Sequence, residues 1–100
     1  MESIRVEAID EGVAVRLAGE VTLGEAGALK ERLLEAIEAG SILVDCENLQ
    51  AVDLAVLQVL LAAKRMALKR GRPFRMRDSA DWALASCSAA AGLPEPGDWQ

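Results

Sequence analysis

One hundred residues with a net charge of −5, 52% of them apolar and only three aromatic, describe one aliphatic-cored domain with little room for a second module. There is no histidine and no tyrosine, so the commonest general base and the commonest metal ligand are both missing and a Ser-His-Asp set is excluded. The two cysteines, Cys46 in LVDC and Cys87 in ALASCSAAAG, form no CxxC pair and read as small buried side chains of a protein kept in a reducing compartment.

The start, MESIRVEAID, lacks the basic segment and apolar core of a signal peptide. Within it, residues 3–8 alternate, Ile4 and Val6 against Arg5 and Glu7, which predicts a half-buried strand. Asp10-Glu11-Gly12 is a turn, and residues 13–18 (VAVRLA) form a second strand, antiparallel to the first. Thr22 and Glu25 have the T-x-x-E spacing of a capping box. The helix it opens carries Ala26, Leu29, Leu33 and Ile37 at helical spacing and ends at Gly40. Residues 42–46 (ILVDC) do not alternate, as in a central strand covered on both faces.

Asp53 then stands before a stretch that is apolar from Leu54 to Ala63 except at Gln58. It is about half the length that a membrane span needs, so direct membrane insertion is not expected and the protein reads as soluble and cytoplasmic. A helix from Leu54 to Lys69, stopped by Gly71, would turn Leu57, Leu60, Leu61 and Leu68 to a sheet. Its first turn is apolar all round, so Leu54 or Val56 must face outward, a candidate contact surface. Asp53 is its N-cap, and asparagine should cap about as well.

Residues 74–77 form a fourth strand, and Asp78 or Ser79 caps a last helix over roughly 80–91. The domain is expected to span 1–93, followed by an irregular tail, LPEPGDWQ, that includes Trp99. The fold class is α/β: a mixed sheet of four strands packed with three main helices in the order β-β-α-β-α-β-α.

Charge is unevenly spread. Residues 1–53 hold 12 acids and 4 bases, whereas residues 54–77 hold seven bases and no acid. Lys69 and Arg70 suit a helix C-terminus, and Arg75 and Arg77 alternate with Phe74 and Met76 as on the wet side of a strand. No aromatic residues interleave with these bases, so nucleic acid is not an expected partner. Gly24 and Gly27 lack the third glycine and the lysine of a phosphate loop. Asp78 and Asp81 read as acids favoured at a helix start. No enzyme, metal or cofactor is expected.

In its order of elements and in four segments the chain resembles the STAS domain, the fold of bacterial anti-sigma-factor antagonists. The segments are LAGEVTLGEA (17–26), SILVDCENLQAVD (41–53), DLAVLQVLLAAKRMALKRG (53–71) and GRPFRMRDSADWALASCSAAAGL (71–93). The resemblance covers about Arg5 to Leu93 and looks nearest to short stand-alone STAS proteins of bacterial signalling and chemotaxis. It implies a non-enzymatic regulator whose protein partner, a kinase-like anti-sigma or chemotaxis protein, docks at the start of the second long helix. In the family a serine or threonine there is phosphorylated, which turns binding off.

Asp53 matches the aspartate before that hydroxyl, and Asp45 the acid of the preceding strand. Gly19 and Glu20 match a Gly-Glu pair, with Thr22 where aspartate is common. Leu54 and Ala55 occupy the hydroxyl positions and Val56 that of a glycine, so the usual phosphoacceptor is missing. The partner-binding residues implied are Glu20, Thr22, Asp53, Leu54, Ala55, Val56 and Leu57. A second resemblance is to small STAS subunits of lipid-transport ATP-binding cassette systems. Neither resemblance fixes an oligomeric state.

Overall fold

The computed structural model describes residues 3–77, 83–90 and 92. The elements are β1 (Ile4–Ile9), β2 (Gly12–Val21), α1 (Leu23–Ala39), β3 (Ser41–Val52), α2 (Leu54–Lys69), β4 (Phe74–Arg77) and α3 (Ala83–Ala90). Two helices are long. The third main helix expected over 80–91 is present as a short segment of eight residues. The cap at Asp78 or Ser79, the Asp78–Asp81 pair and the tail with Trp99 lie outside the described residues.

The four strands follow chain order across one sheet, with β1 antiparallel to β2 and β2, β3 and β4 parallel. Glycine is needed at position 12, where β2 starts beside β3. A Cβ there would meet the Ser41 carbonyl oxygen at 2.0 Å. Each parallel step requires a crossover, and two right-handed crossovers stepping the same way put both helices on one face. There α1 and α2 pack on each other, and the chain places its apolar side chains accordingly. Val15 and Leu17 of β2, Ile42, Val44 and Cys46 of β3 and Phe74 of β4 meet Leu29, Leu33 and Ile37 of α1, Leu57 and Leu60 of α2 and Leu84 of α3 in one core.

The opposite face differs from the expectation of a central strand covered on both sides. Arg5, Arg16, Asp45 and Arg77 are register partners, one from each strand in a row across the sheet. Asp45, only 4% exposed, is ion-paired with Arg16 and lies 3.8 Å from Arg77. It also accepts the Glu47 backbone N–H at 3.0 Å. Glu7 lies 3.2 Å from Arg16 and 3.2 Å from Arg5, and Glu47 extends the net to Arg77. The Arg16 guanidinium has its pKa raised, first by the Glu7 hydrogen bond and charge and then by Asp45. Residue 45 is therefore buried beneath arginine side chains, and its charge is matched as a buried carboxylate requires.

Two further expectations yield to the geometry. Val6, expected on the covered side of a half-buried strand, is 47% exposed: β1 is an edge strand, and only its Ile4 is packed against the core among the described residues. Leu68 was placed toward the sheet and is 59% exposed, while Ala63 and Ala67 face inward.

Asp45→Ala removes a charge partner of two arginines and the acceptor of the Glu47 N–H. It should lower stability by about 1–3 kcal/mol, read by thermal circular dichroism as a fall of about 4–8 °C per kcal/mol. Asp45→Asn, which can still accept that N–H, should fall between. An alanine variant that melts with the parent would show that the row contributes nothing.

Candidate functional site

In open parallel sheets ligands and partners collect beyond the carboxyl ends of the strands. Here that edge carries the N-termini of both long helices. Two register shifts, between Arg16 and Ala18 and between Gly19 and Glu20, bend the end of β2. Gly19 sits at φ +69°, a backbone that favours glycine. β2 and β3 then run side by side to their last pair, Val21 and Val52, so Thr22 and Asp53 leave the sheet as neighbours.

Both residues are N-caps in extended conformation. Asp53 Oδ1 accepts the Val56 backbone N–H at 3.1 Å, which caps α2. Asp53 Oδ2 accepts the Leu23 backbone N–H at 2.8 Å, in the first turn of α1. One carboxylate thus answers free donors of two helices, each presenting the positive end of its dipole. Glu25 completes the corner: its Oε2 accepts the Thr22 backbone N–H at 3.3 Å and the Thr22 hydroxyl at 3.2 Å.

Around this polar knot the surface is apolar. Leu23 is 72% exposed and Leu54 is 44% exposed, one on each side of the Asp53 carboxylate. Glu20 is exposed beside them, and Thr22, Asp53 and Ala55 are half-buried. Val56 and Leu57 are corrections: both are fully buried, on the stripe with Leu60, Ala63 and Ala67 that faces the core, so neither can touch a partner. The leucine-only stripe of the sequence was rotated around the helix, since the inward face of α2 uses alanine where packing is close. Leu23 stands inside the capping box between Thr22 and Glu25, and no spacing in the sequence marks it as outward. Cys87 of α3 also belongs to this end of the molecule; burial raises its pKa, with the Asp53 charge adding to the shift. A thiol so placed is a poor nucleophile.

A family model described as "Mlab, STAS domain" matches residues 4–93. The chain belongs to the STAS-domain family. Similar solved structures include the anti-sigma factor antagonist SpoIIAA in its unphosphorylated form, 18% identical, with 96% of this chain and 84% of that one covered at a TM-score of 0.77. An anti-sigma factor antagonist from Mycobacterium paratuberculosis is also 18% identical, with 96% and 88% covered and a TM-score of 0.74. The structure of Mglu is 17% identical over 76% of this chain at a TM-score of 0.67, and the STAS chain spans only 20% of its length. At these identities the likeness speaks for the fold. No curated protein matches the sequence significantly. Among the described residues of this STAS domain no helix is long and apolar enough to cross a membrane, and no group of three or more His, Cys, Asp or Glu could hold a metal ion.

The double cap revises the expectation that asparagine would replace Asp53 freely. Its amide offers one accepting oxygen, and the NH2 would face the other helix's N–H. Relative to a single cap of about 1 kcal/mol, Asp53→Ala should lose about twice as much and Asp53→Asn about half of that loss. Denaturant titration of the three proteins checks the order; equal midpoints for asparagine and wild type would leave only one cap in force.

Proposed function

We propose that this STAS domain is a cytoplasmic, non-enzymatic regulator that docks a protein partner on the corner formed by Leu23, Leu54, Ala55 and Asp53, with Glu20 at its edge. The observation that carries this reading is the pair of exposed leucines beside a carboxylate whose oxygens already serve two helix ends. A surface of this kind offers apolar contact area around a fixed polar group, as the centre and rim of a protein interface do. The partner expected is a signalling protein of the anti-sigma, kinase-like or chemotaxis kind, in line with the solved antagonists that share the fold.

The corner is not switched by phosphate at the family's position, because Leu54 and Ala55 present no attacking oxygen. Thr22 is the neighbouring hydroxyl, and it donates to Glu25. A second reading is a structural role, that of a permanent subunit such as the STAS subunit of a lipid-transport ATP-binding cassette system, in line with the family model that matches the chain.

Pull-down of the full chain with identification by mass spectrometry separates the two, a kinase-like or chemotaxis protein supporting the first and an ATPase the second. Leu54→Asp places a charge in the exposed contact without touching the core. It should weaken capture at least tenfold while circular dichroism stays unchanged; undiminished capture by the folded variant would remove the corner from the interface. Peptide mass spectrometry of native protein should find no phosphate that varies with stimulus. A stoichiometric, stimulus-dependent phosphate on Thr22 would make that residue the switch instead.

A further inference from the structure

Beyond the corner, a groove of about 200 Å³ runs between α1 and α2. Leu34, Val59, Ala62, Ala63 and Met66 line it together with the polar Lys30 and Gln58. The two helices run side by side in the same sense, tied at their N-termini by Asp53 and near their C-termini by the ion pair of Arg70 with Glu38.

The groove continues the corner. On α1, Leu23, Gly27, Lys30 and Leu34 follow at intervals of four, three and four, which is one helix face. On α2, Leu54, Gln58, Ala62 and Met66 lie on one i, i+4 ridge. Eleven steps from Leu23 to Leu34 give a strip of about 16 Å, three helical turns.

Three observations choose the occupant. The volume is below the roughly 300–1,000 Å³ of small-molecule sites, and suits one or two anchor side chains of a docked helix. The groove itself carries one charge, and it is positive: Lys30 lines it without an ion pair among the described residues, Arg65 and Lys69 stand exposed and likewise unpaired along α2, and the acids Glu20 and Asp53 lie at the corner end. Finally, Gly27 lies exposed inside a helix, where glycine costs about 1 kcal/mol relative to alanine. Nothing in the chain occupies the space its Cβ would take.

We infer that the strip from the Leu23–Leu54 corner to Leu34 and Met66 receives an amphipathic helix of the partner, about three turns long, which puts an apolar anchor into the groove and carboxylates toward Lys30, Arg65 and Lys69. The inference rests on the reading that the domain binds a protein partner, and it sets that partner's chemistry. Gly27 leaves room for the incoming helix to approach closely.

The test places the photo-reactive residue benzoylphenylalanine at position 54 or position 62 of the full chain, cross-links in cells of the native host and sequences the attached peptide. Cross-links at both positions to one acidic segment with apolar residues at i, i+3, i+4 and i+7 support the inference. A cross-link at 54 alone overturns the groove and leaves the corner standing. None at either position removes the docking reading and this one with it. A lipid, or a basic or extended peptide, at position 62 also overturns it.

A labelled synthetic copy of the cross-linked segment should then lose at least tenfold in affinity, by fluorescence anisotropy, against Lys30→Glu and Gly27→Leu, but not against Lys30→Arg. The Gly27 variant fills open space and should fold as the parent does, so retained affinity in it would count directly against a helix in the groove.

Discussion

The arrangement of this domain turns on one carboxylate that serves two helices. Every helix begins with backbone donors that lack partners, and the usual remedy is one cap for each end. Here the last β2–β3 pair, Val21 with Val52, brings the two helix starts so close that Asp53 reaches both. The tie fixes the spacing of α1 and α2 at the edge of the sheet. That spacing sets which side chains line the surface between them. Remove the second hydrogen bond and the first turn of α1 is held there by Glu25 and its own packing.

The same carboxylate explains why a greasy turn can stand at a surface. Leu23 and Leu54 do not collapse inward because each is at the first position of its helix, on a first turn held in place by the Asp53 carboxylate. The core is completed by the residues behind them: Ala26 and Leu29 on α1, Val56 and Leu57 on α2. Apolar exposure is thus a product of where the two helices start.

Much of this fold is legible in the sequence, and the gaps have physical causes. The helices α1 and α2 were readable to the residue, because Thr22, Gly40, Asp53 and Gly71 punctuate them. Strands β2 and β3 run longer than alternation suggested, to Val21 and Val52. Their far halves pair through two register shifts, and each shift breaks the two-residue period by which a strand is recognised. The buried Asp45 was legible as an acid at the end of an apolar run, but its arginine partners come from strands distant in the chain. At the site, the sequence named Asp53 as the cap and offered Leu54 or Val56 as the outward residue; packing exposes Leu54 and buries Val56, and Leu57 lies inward with its stripe, away from the contact surface it was also assigned to. A run apolar on every side carries no phase, so only packing decides which side is inward.

The sheet's charged face has a consequence for how the molecule behaves in concentrated salt. Among the described residues no helix covers the second side of the sheet, and the chain lines it with alternating ions rather than with oil. At about 1 M salt the screening length falls to about 3 Å, so the outer pairs, Arg5 with Glu7 and Arg77 with Glu47, fade first. The contact of Arg16 with the sheltered Asp45 persists longest. Ionic strength therefore loosens this surface from its rim toward its centre, while the aliphatic layer on the other side tightens as salts that avoid protein surfaces strengthen apolar burial. The two faces of one sheet respond to the same solvent change in opposite directions.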